Sequence, residues 1–200
     1  KNKWNSPETL AVLFENFILR DDLDKLKKIL VIAKKKKASR KDLQLKFVEA
    51  YLYFKNIKPE AEDRAISEQD KKQLNKILQP VLADLSFFEK PRMFTLGTSV
   101  LSKIEDWSNL ALVLDSCSDK NKSRIYWFPL RLEAYKKLAD LDGLDSFSRF
   151  ALKVLDAHDP FIEMIAEAYT ELKEYKKAAQ IYELLHLINR ESLSVRMQLA

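Results

Sequence analysis

Few residues of this chain have the types and spacing that catalysis or metal binding requires. Its 200 residues include two histidines and one cysteine. His158 precedes Asp159 and His186 follows Glu183 by three positions, but neither pair has a third ligand at the spacing of a zinc site. Cys117 has no nearby histidine to activate it, and HExxH, Walker and GxGxxG motifs are absent. We therefore expect no metal, no cofactor and no enzymatic activity, unless distant residues assemble an active site.

Basic residues concentrate in the first third of the chain. Residues 1–58 contain 15 Lys or Arg against 7 Asp or Glu, whereas residues 59–200 contain 20 against 23. The densest run, the basic patch, consists of Lys34, Lys35, Lys36, Lys37, Arg40 and Lys41. Such a patch can attract phosphates or an acidic protein surface. It can equally be a solvated turn whose lysines complement a helix dipole, and its scarce arginine and missing aromatic residues are atypical of nucleic-acid readers.

A second candidate for binding is the aromatic cluster at residues 125–129. It places Tyr126, Trp127 and Phe128 within about one helical turn, so these side chains cannot all face one core. Tyrosine and tryptophan anchor many interfaces because they combine a large apolar body with a polar tip. We predict that Tyr126 or Trp127 contributes to a partner-contact surface. Packing against the preceding helical hairpin is the alternative.

The elements that must position these residues are predicted to be helices. The chain is 46% hydrophobic and 32% charged, and it contains two glycines, Gly97 and Gly143. Scarce glycine beside abundant Leu, Lys, Ala and Glu favours helices joined by short connections, and apolar residues at helical spacing predict about eleven of them. No apolar run is long enough for a transmembrane segment. The cytoplasm and the bacterial periplasm are both compatible compartments.

Capping residues and prolines predict boundaries in the first half of the chain. Ser39 or Asp42 caps the third helix. Ser67, with Asp70 three residues later, resembles a capping box at the start of the fourth. Apolar residues continue past Pro80, so we expect the proline to kink this helix rather than to end it.

The second half is predicted to end on an incomplete repeat. Gly143 separates the seventh helix from the eighth. The last complete pair occupies residues about 160–171 and 175–188, and an eleventh helix begins at about 191. Because Leu193 to Ala200 reads as the first turns of that helix, we expect the chain to be a fragment of a larger protein.

The tripeptide Glu-Ala-Tyr occurs three times, ending at Tyr51, Tyr135 and Tyr169, and the last two tyrosines are 34 positions apart. That interval is the period of a helix-turn-helix repeat. Residues 159–192 resemble one tetratricopeptide repeat, a 34-residue unit with small residues where its two helices cross. The residues that match are Ile165, Ala166, Tyr169, Tyr175, Ala178 and Tyr182. The match is degenerate elsewhere, and around Tyr135 the resemblance puts Pro129 inside a helix.

The resemblance implies a right-handed α-solenoid of antiparallel helical hairpins. Residues 1–90 are expected to form degenerate hairpins that carry the basic patch, and residues 91–200 to form tetratricopeptide-like repeats, the last one incomplete. Solenoids of this kind usually bind a partner along a concave groove. Glu133 and Glu167, each beside an Ala-Tyr pair, are predicted to line it. Because Glu167 stands where the family has an asparagine, we expect no clamp for a partner's terminal carboxylate.

Three functions follow from these features. The first is a non-catalytic scaffold that binds another protein or peptide within a larger assembly. The second is binding of nucleic acid or an acidic surface through the lysine-rich N-terminal hairpins, which predicts strong salt dependence. The third is a signalling domain that binds a short peptide and changes curvature.

Overall fold

The computed structural model describes residues 7–35, 42–57, 66–116, 127–155 and 160–198. Within these ranges the regular secondary structure is helical throughout and contains no strand, which confirms the predicted all-α class. The chain divides into two compact units, Lys1–Glu105 and Asp106–Ala200.

The first unit contains five α-helices and one short 3-10 helix within the described residues. They are α1 (Pro7–Leu19), α2 (Leu23–Lys35), α3 (Leu43–Ile57), α4 (Glu68–Leu82), the 3-10 helix (Leu85–Glu89) and α5 (Pro91–Lys103). Each α-helix from α1 to α4 packs on the next, and the 3-10 helix packs on α4 and α5. Phe47 of α3 and Leu74 of α4 are fully buried between them. An ion pair at 3.8 Å also joins Glu15 of α1 to Arg92 of α5.

Two predicted caps are present in this unit. Asp42 Oδ1 accepts a hydrogen bond from the Gln44 backbone amide at 3.0 Å, so Asp42 caps α3, while Ser39 lies outside the described residues. Ser67 Oγ accepts from the Asp70 amide at 3.1 Å and donates to the Asp70 carboxylate at 2.6 Å. These contacts satisfy amide groups that the first turn of a helix leaves without a partner.

Helix α4 continues past Pro80, as predicted, but it stops short of Leu85. The helix ends at Leu82, and Leu85, which the apolar pattern assigned to it, begins the 3-10 helix. Proline has no amide hydrogen for the carbonyl four residues earlier, so the last turn of α4 is already weakened at Pro80. Asp84 then starts the new helix, because its carboxylate accepts from the Ser86 amide at 3.3 Å.

The second unit contains five α-helices within the described residues. They are α6 (Trp107–Ser116), α7 (Phe128–Leu138), α8 (Leu141–Val154), α9 (Pro160–Glu171) and α10 (Tyr175–Gln198). Each packs on the next, and α7 also packs directly on α9. The core contains a cluster of phenylalanine rings around the fully buried Phe128, which lies edge-on to Phe147 at 5.0 Å between ring centroids.

One predicted boundary in this unit is wrong. Gly143 does not separate two helices but lies in the first turn of α8, where its amide donates to Asp140 Oδ1 at 2.9 Å. The connection is instead made by Ala139, whose φ of 50° ends α7, and Asp140, which caps α8. Pro129 lies in the first turn of α7, where a helix tolerates proline because no amide donor is needed there.

The predicted eleventh helix is also wrong within the described residues. The backbone from Tyr175 to Gln198 forms one continuous helix of 24 residues. That segment contains no glycine or proline, and several of its residues, including Leu, Arg, Glu and Met, favour helix. Nothing in it therefore ends a helix near 188, and ten α-helices replace the eleven that were expected for this part of the chain.

Candidate functional site

The three tyrosines of the Glu-Ala-Tyr tripeptides are buried and make the same kind of contact. Each hydroxyl donates to an aspartate of an earlier element. The pairs are Tyr51 with Asp21 at 3.0 Å, Tyr135 with Asp115 at 2.6 Å, and Tyr169 with Asp145 at 2.7 Å. The alanine before each tyrosine is buried as well. The tripeptide therefore marks places where one helix is fixed to the preceding hairpin.

Each of these aspartates also pairs with a cation, so we call the three sites Tyr–Asp–cation junctions. Lys55 contacts Asp21 at 2.9 Å, Arg131 contacts Asp115 at 2.9 Å, and Lys177 contacts Asp145 at 2.7 Å. Lys55 and Lys177 additionally lie over the rings of Tyr51 and Tyr169, with 5.7 and 5.6 Å from the ammonium nitrogen to the ring centroid. The cation balances the carboxylate charge that the tyrosine needs as an acceptor.

The junctions keep their tyrosines neutral. Burial, together with the hydrogen bond to the aspartate, raises the pKa of Tyr51 and of Tyr169 to about 12. The pKa of Tyr135 is raised by the same causes. For Asp145, burial acts to raise the pKa, but the hydrogen bonds from Lys177 and Tyr169 outweigh it and the pKa is lowered. At neutral pH the tyrosines are therefore hydrogen-bond donors and the junctions stabilise the packing of helices.

Arg131 has a second role, because it lines a cavity of about 490 Å³ with Tyr135, Phe147 and Phe150. The side chain is only 6% exposed, and its guanidinium lies 5.3 Å from the centroid of the Phe147 ring. Nη2 donates to the Leu114 carbonyl at 2.7 Å and to Asp115, whereas the buried Nε has no hydrogen-bond partner among the described residues. The sequence did not predict this role for Arg131.

The predicted partner-binding glutamates lie in different environments. Glu133 of α7 is half-buried and pairs with Lys136 at 3.1 Å and with Lys137 at 3.5 Å. Burial acts to raise its pKa, but the two lysines lower it further than burial raises it. Glu167 of α9 is exposed and has no ion pair with the described residues. Lys136 also forms an ion pair with Glu171 of α9 at 3.0 Å. It therefore connects Glu133 of α7 to α9.

The predicted aromatic contact residues are described only in part. Tyr126 lies outside the described residues. Trp127 is the N-cap residue of α7 and is half-buried. Phe128, which follows it, is fully buried in the ring cluster. Whether Tyr126 or Trp127 contributes to a partner-contact surface stays a prediction.

Most of the basic patch also lies outside the described residues. Only Lys34 has a described side chain, and it forms an ion pair with Glu49 of α3. The side chain of Lys35, together with Lys36, Lys37, Arg40 and Lys41, falls in the remaining part of the chain. The attraction of this patch for anions stays a prediction.

A different set of lysines lines two adjoining cavities of the first unit, which we call the lysine groove. The cavities have volumes of about 570 and 420 Å³ and share Tyr53 and Gln73. Their lysines are Lys27, Lys46, Lys72 and Lys76. Lys46 pairs with Glu49 at 3.2 Å, whereas the other three form no ion pair with the described residues. Sequence reasoning missed this groove because its lysines come from α2, α3 and α4.

Residues with potential for chemistry are not brought together where the structure describes them. No group of three metal-ligating side chains occurs there, and His186 is exposed on α10 beside Glu183. His158 and Cys117 fall in parts of the chain that are not described. None of the described helices combines the length and hydropathy needed to cross a bilayer, as the sequence predicted. Comparison with protein-family models, with curated proteins and with solved structures returned no match.

Proposed function

We propose that this chain is a non-catalytic interaction scaffold, a single file of helical hairpins that holds another polypeptide along exposed helix faces. The packing order of the second unit supports a single file. Each helix contacts the next, and α7 contacts α9 across the intervening α8, which is the order that stacked hairpins produce. The Tyr–Asp–cation junctions of Tyr135 and Tyr169 support it as well, because each fixes a helix to the hairpin before it.

One observation carries the proposal, a row of exposed glutamates on α9 that an ion-pair network connects to a glutamate of α7. Glu163, Glu167 and Glu171 are exposed and four residues apart, so they lie on one face of α9. Lys136 joins Glu171 to Glu133 of α7. We call these four glutamates the acidic surface. Exposed charges on a helix face that is not used for packing are available for recognition. Here they favour a partner with basic residues.

The experiment is capture of partners from an extract of the source cell, with bound proteins identified by mass spectrometry. We expect the 200-residue chain to retain specific polypeptides, and the double variant Glu133→Lys/Glu167→Lys to lose most of them. Asp142→Lys is the control, because it makes the same kind of acidic-to-basic change once, at an exposed position of α8. Circular dichroism checks that each variant is folded. Equal capture by all three proteins, or capture of nothing above a resin control, contradicts the proposal.

A second candidate function is binding of an anionic ligand by the first unit. The lysine groove favours it, since Lys27, Lys72 and Lys76 form no ion pair with the described residues. Residues 1–105 hold 22 Lys or Arg against 15 Asp or Glu, so the segment that contains the groove has a net positive charge. Ammonium groups without carboxylate partners attract phosphates over distances set by the ionic strength.

A further inference from the structure

The outer side of α10 carries an apolar surface that the described residues leave uncovered. Ala179, Tyr182, Glu183, His186 and Leu187 line a cavity of about 690 Å³ there. Tyr182 is 41% exposed and Leu187 is 56% exposed, although both are large hydrophobic residues. We call these five residues the α10 face. Their opposite side packs normally, because Ala178 and Ile181 are buried against α9.

Comparison of α10 with α8, whose corresponding positions are 34 residues earlier, shows what covers the equivalent face of α8. Leu144 and Phe147 of α8 are buried, as are Ala178 and Ile181 at the corresponding positions of α10. Ser148 of α8 corresponds to Tyr182, yet Ser148 is only 4% exposed. The difference arises because α9 lies over Ser148.

The contact of α9 with α8 is specific. The hydroxyl of Tyr169 bonds to Asp145 at 2.7 Å and to Ser148 at 3.1 Å. Asp145 and Ser148 occupy the positions that Ala179 and Tyr182 occupy in α10. The α10 face is therefore the site where a further helix would lie if the packing of α9 on α8 were repeated once more.

The charges around this site select the kind of helix. Glu183 lies on the α10 face, and Glu163 and Glu167 of the neighbouring α9 are exposed without an ion pair among the described residues. Where α9 lies beside α7, Lys136 of α7 pairs with Glu171 of α9. At the 34-residue interval Glu167 corresponds to Glu133, which pairs with the same Lys136, so a helix packed beside α9 as α9 packs beside α7 would lie near Glu167, where lysine or arginine is the favourable residue.

A second copy of the chain fits this site poorly. A symmetric contact through the α10 face would bring Glu183 of one copy towards Glu183 of the other. Like charges at an interface oppose association. The same charges disfavour a nucleic acid at this position.

We propose that the α10 face docks a basic amphipathic helix of another polypeptide, with its apolar side on Tyr182 and Leu187 and its cations at Glu163, Glu167 and Glu183. The proposal rests on the scaffold function and names the site and the chemistry of one partner. Tyr182 is its central contact, because an exposed tyrosine at the middle of an apolar surface is a common anchor.

The test uses the 200-residue chain and two fluorescent synthetic peptides of about 18 residues, five helical turns. Both peptides have the same leucine and alanine face, and their polar faces carry either lysine or glutamate. Fluorescence anisotropy should show binding of the lysine peptide only. Tyr182→Asp should weaken it by at least about tenfold. The matched control is Val154→Asp, since Val154 of α8 is 45% exposed and does not line the cavity of the α10 face.

Charge reversal provides a second, independent variant. Glu163→Lys/Glu167→Lys should weaken the lysine peptide and allow the glutamate peptide to bind. Equal binding of both peptides, or full binding to the Tyr182→Asp protein, overturns the proposal. Sedimentation of the wild type as a dimer that Tyr182→Asp dissociates overturns it too, because the occupant is then a second copy. If the lysine peptide does not bind while partner capture still depends on Glu133 and Glu167, the docking site is wrong and the scaffold function stands.

Discussion

At the scale of single residues, each buried tyrosine of the three junctions has a carboxylate as its acceptor, and each carboxylate has a cation as its partner. A buried tyrosine hydroxyl without an acceptor costs about 1–3 kcal/mol, and a carboxylate without a cation costs more. The junction of Tyr169 avoids both costs, because Asp145 accepts from the hydroxyl and pairs with Lys177. These three residues come from α9, α8 and α10, so one junction fixes three helices.

The first residue-scale prediction concerns Tyr169→Phe. The variant keeps the ring in place but removes the hydrogen bonds to Asp145 and Ser148. We expect the free energy of unfolding at pH 7 to fall by about 1–2 kcal/mol. Urea denaturation followed by circular dichroism measures it. Tyr182→Phe is the control and should leave stability unchanged, because the Tyr182 hydroxyl makes no hydrogen bond to the described residues.

The same variant has a signature at alkaline pH. The pKa of Tyr169 is about 12 in the folded chain, and that of an unfolded tyrosine is about 10. The unfolded state therefore loses its proton first, and the stability that this tyrosine contributes is complete below about pH 10 and is lost as the pH rises to about 12. Between pH 9 and 11 the free energy of unfolding should fall less for Tyr169→Phe than for the wild type. The difference corresponds to about one proton released on unfolding. Parallel losses in the two proteins would contradict this assignment.

The recurrence of Glu-Ala-Tyr marked the three tyrosines of the junctions, but it gave no indication of the aspartates that accept from them. Tyr135 and Tyr169 are 34 residues apart, whereas their aspartates precede them by 20 and 24 residues. A sequence pattern with a fixed period therefore identifies the tyrosine donors but not the aspartate acceptors. A basic residue four positions from the tyrosine, Lys55 after Tyr51 and Arg131 before Tyr135, was the available signal.

At the scale of elements, starts of helices were easier to predict than ends. Asp42, Ser67 and Pro91 mark beginnings because a cap or an N-terminal proline acts through local chemistry. Ends depend on packing as well. α7 ends at Ala139 with φ at 50°, a conformation that glycine adopts more readily, and the sequence offers glycine at 143 instead. The glycine is needed for a close contact, not for the turn.

That contact gives an element-scale prediction. A Cβ at Gly143 would lie 2.6 Å from Cε1 of Tyr135 and would also press on the Asp140 carboxylate. The Tyr135 ring cannot withdraw, because its hydroxyl is bonded to Asp115 and its side chain is buried. We expect Gly143→Ala to lower the free energy of unfolding by about 1–3 kcal/mol, although alanine favours helix by about 1 kcal/mol. Thermal unfolding measures the change.

Ser146→Ala is the matched control for this prediction. Ser146 is exposed in the same helix, so alanine there meets no neighbour and should leave stability equal or raise it by a few tenths of a kcal/mol. If Gly143→Ala behaves like Ser146→Ala, the approach of Tyr135 to α8 is looser than the distances indicate.

At the scale of the whole molecule, the two units differ in charge. Residues 1–105 carry seven more basic than acidic residues, and residues 106–200 carry two more acidic than basic residues. The sequence alone predicted this asymmetry, since it requires only counting. It could not predict which charges are available, because Lys34 is paired with Glu49 of a different helix while Lys72 and Lys76 line the lysine groove. We therefore expect anionic ligands to bind the first unit and basic segments the second.

The lysine groove provides the last prediction. A fluorescent single-stranded RNA serves as a polyanionic probe, and its affinity should fall steeply with salt because binding releases counterions. Lys72→Glu/Lys76→Glu should reduce it by about tenfold or more, whereas Lys153→Glu/Lys173→Glu, the same change at exposed lysines of the second unit, should not. A variant with glutamate in place of the four lysines at 34–37 distinguishes binding by the basic patch from binding by the lysine groove. If only that variant weakens binding, the basic patch binds the probe and the groove does not, because the two surfaces share no lysine.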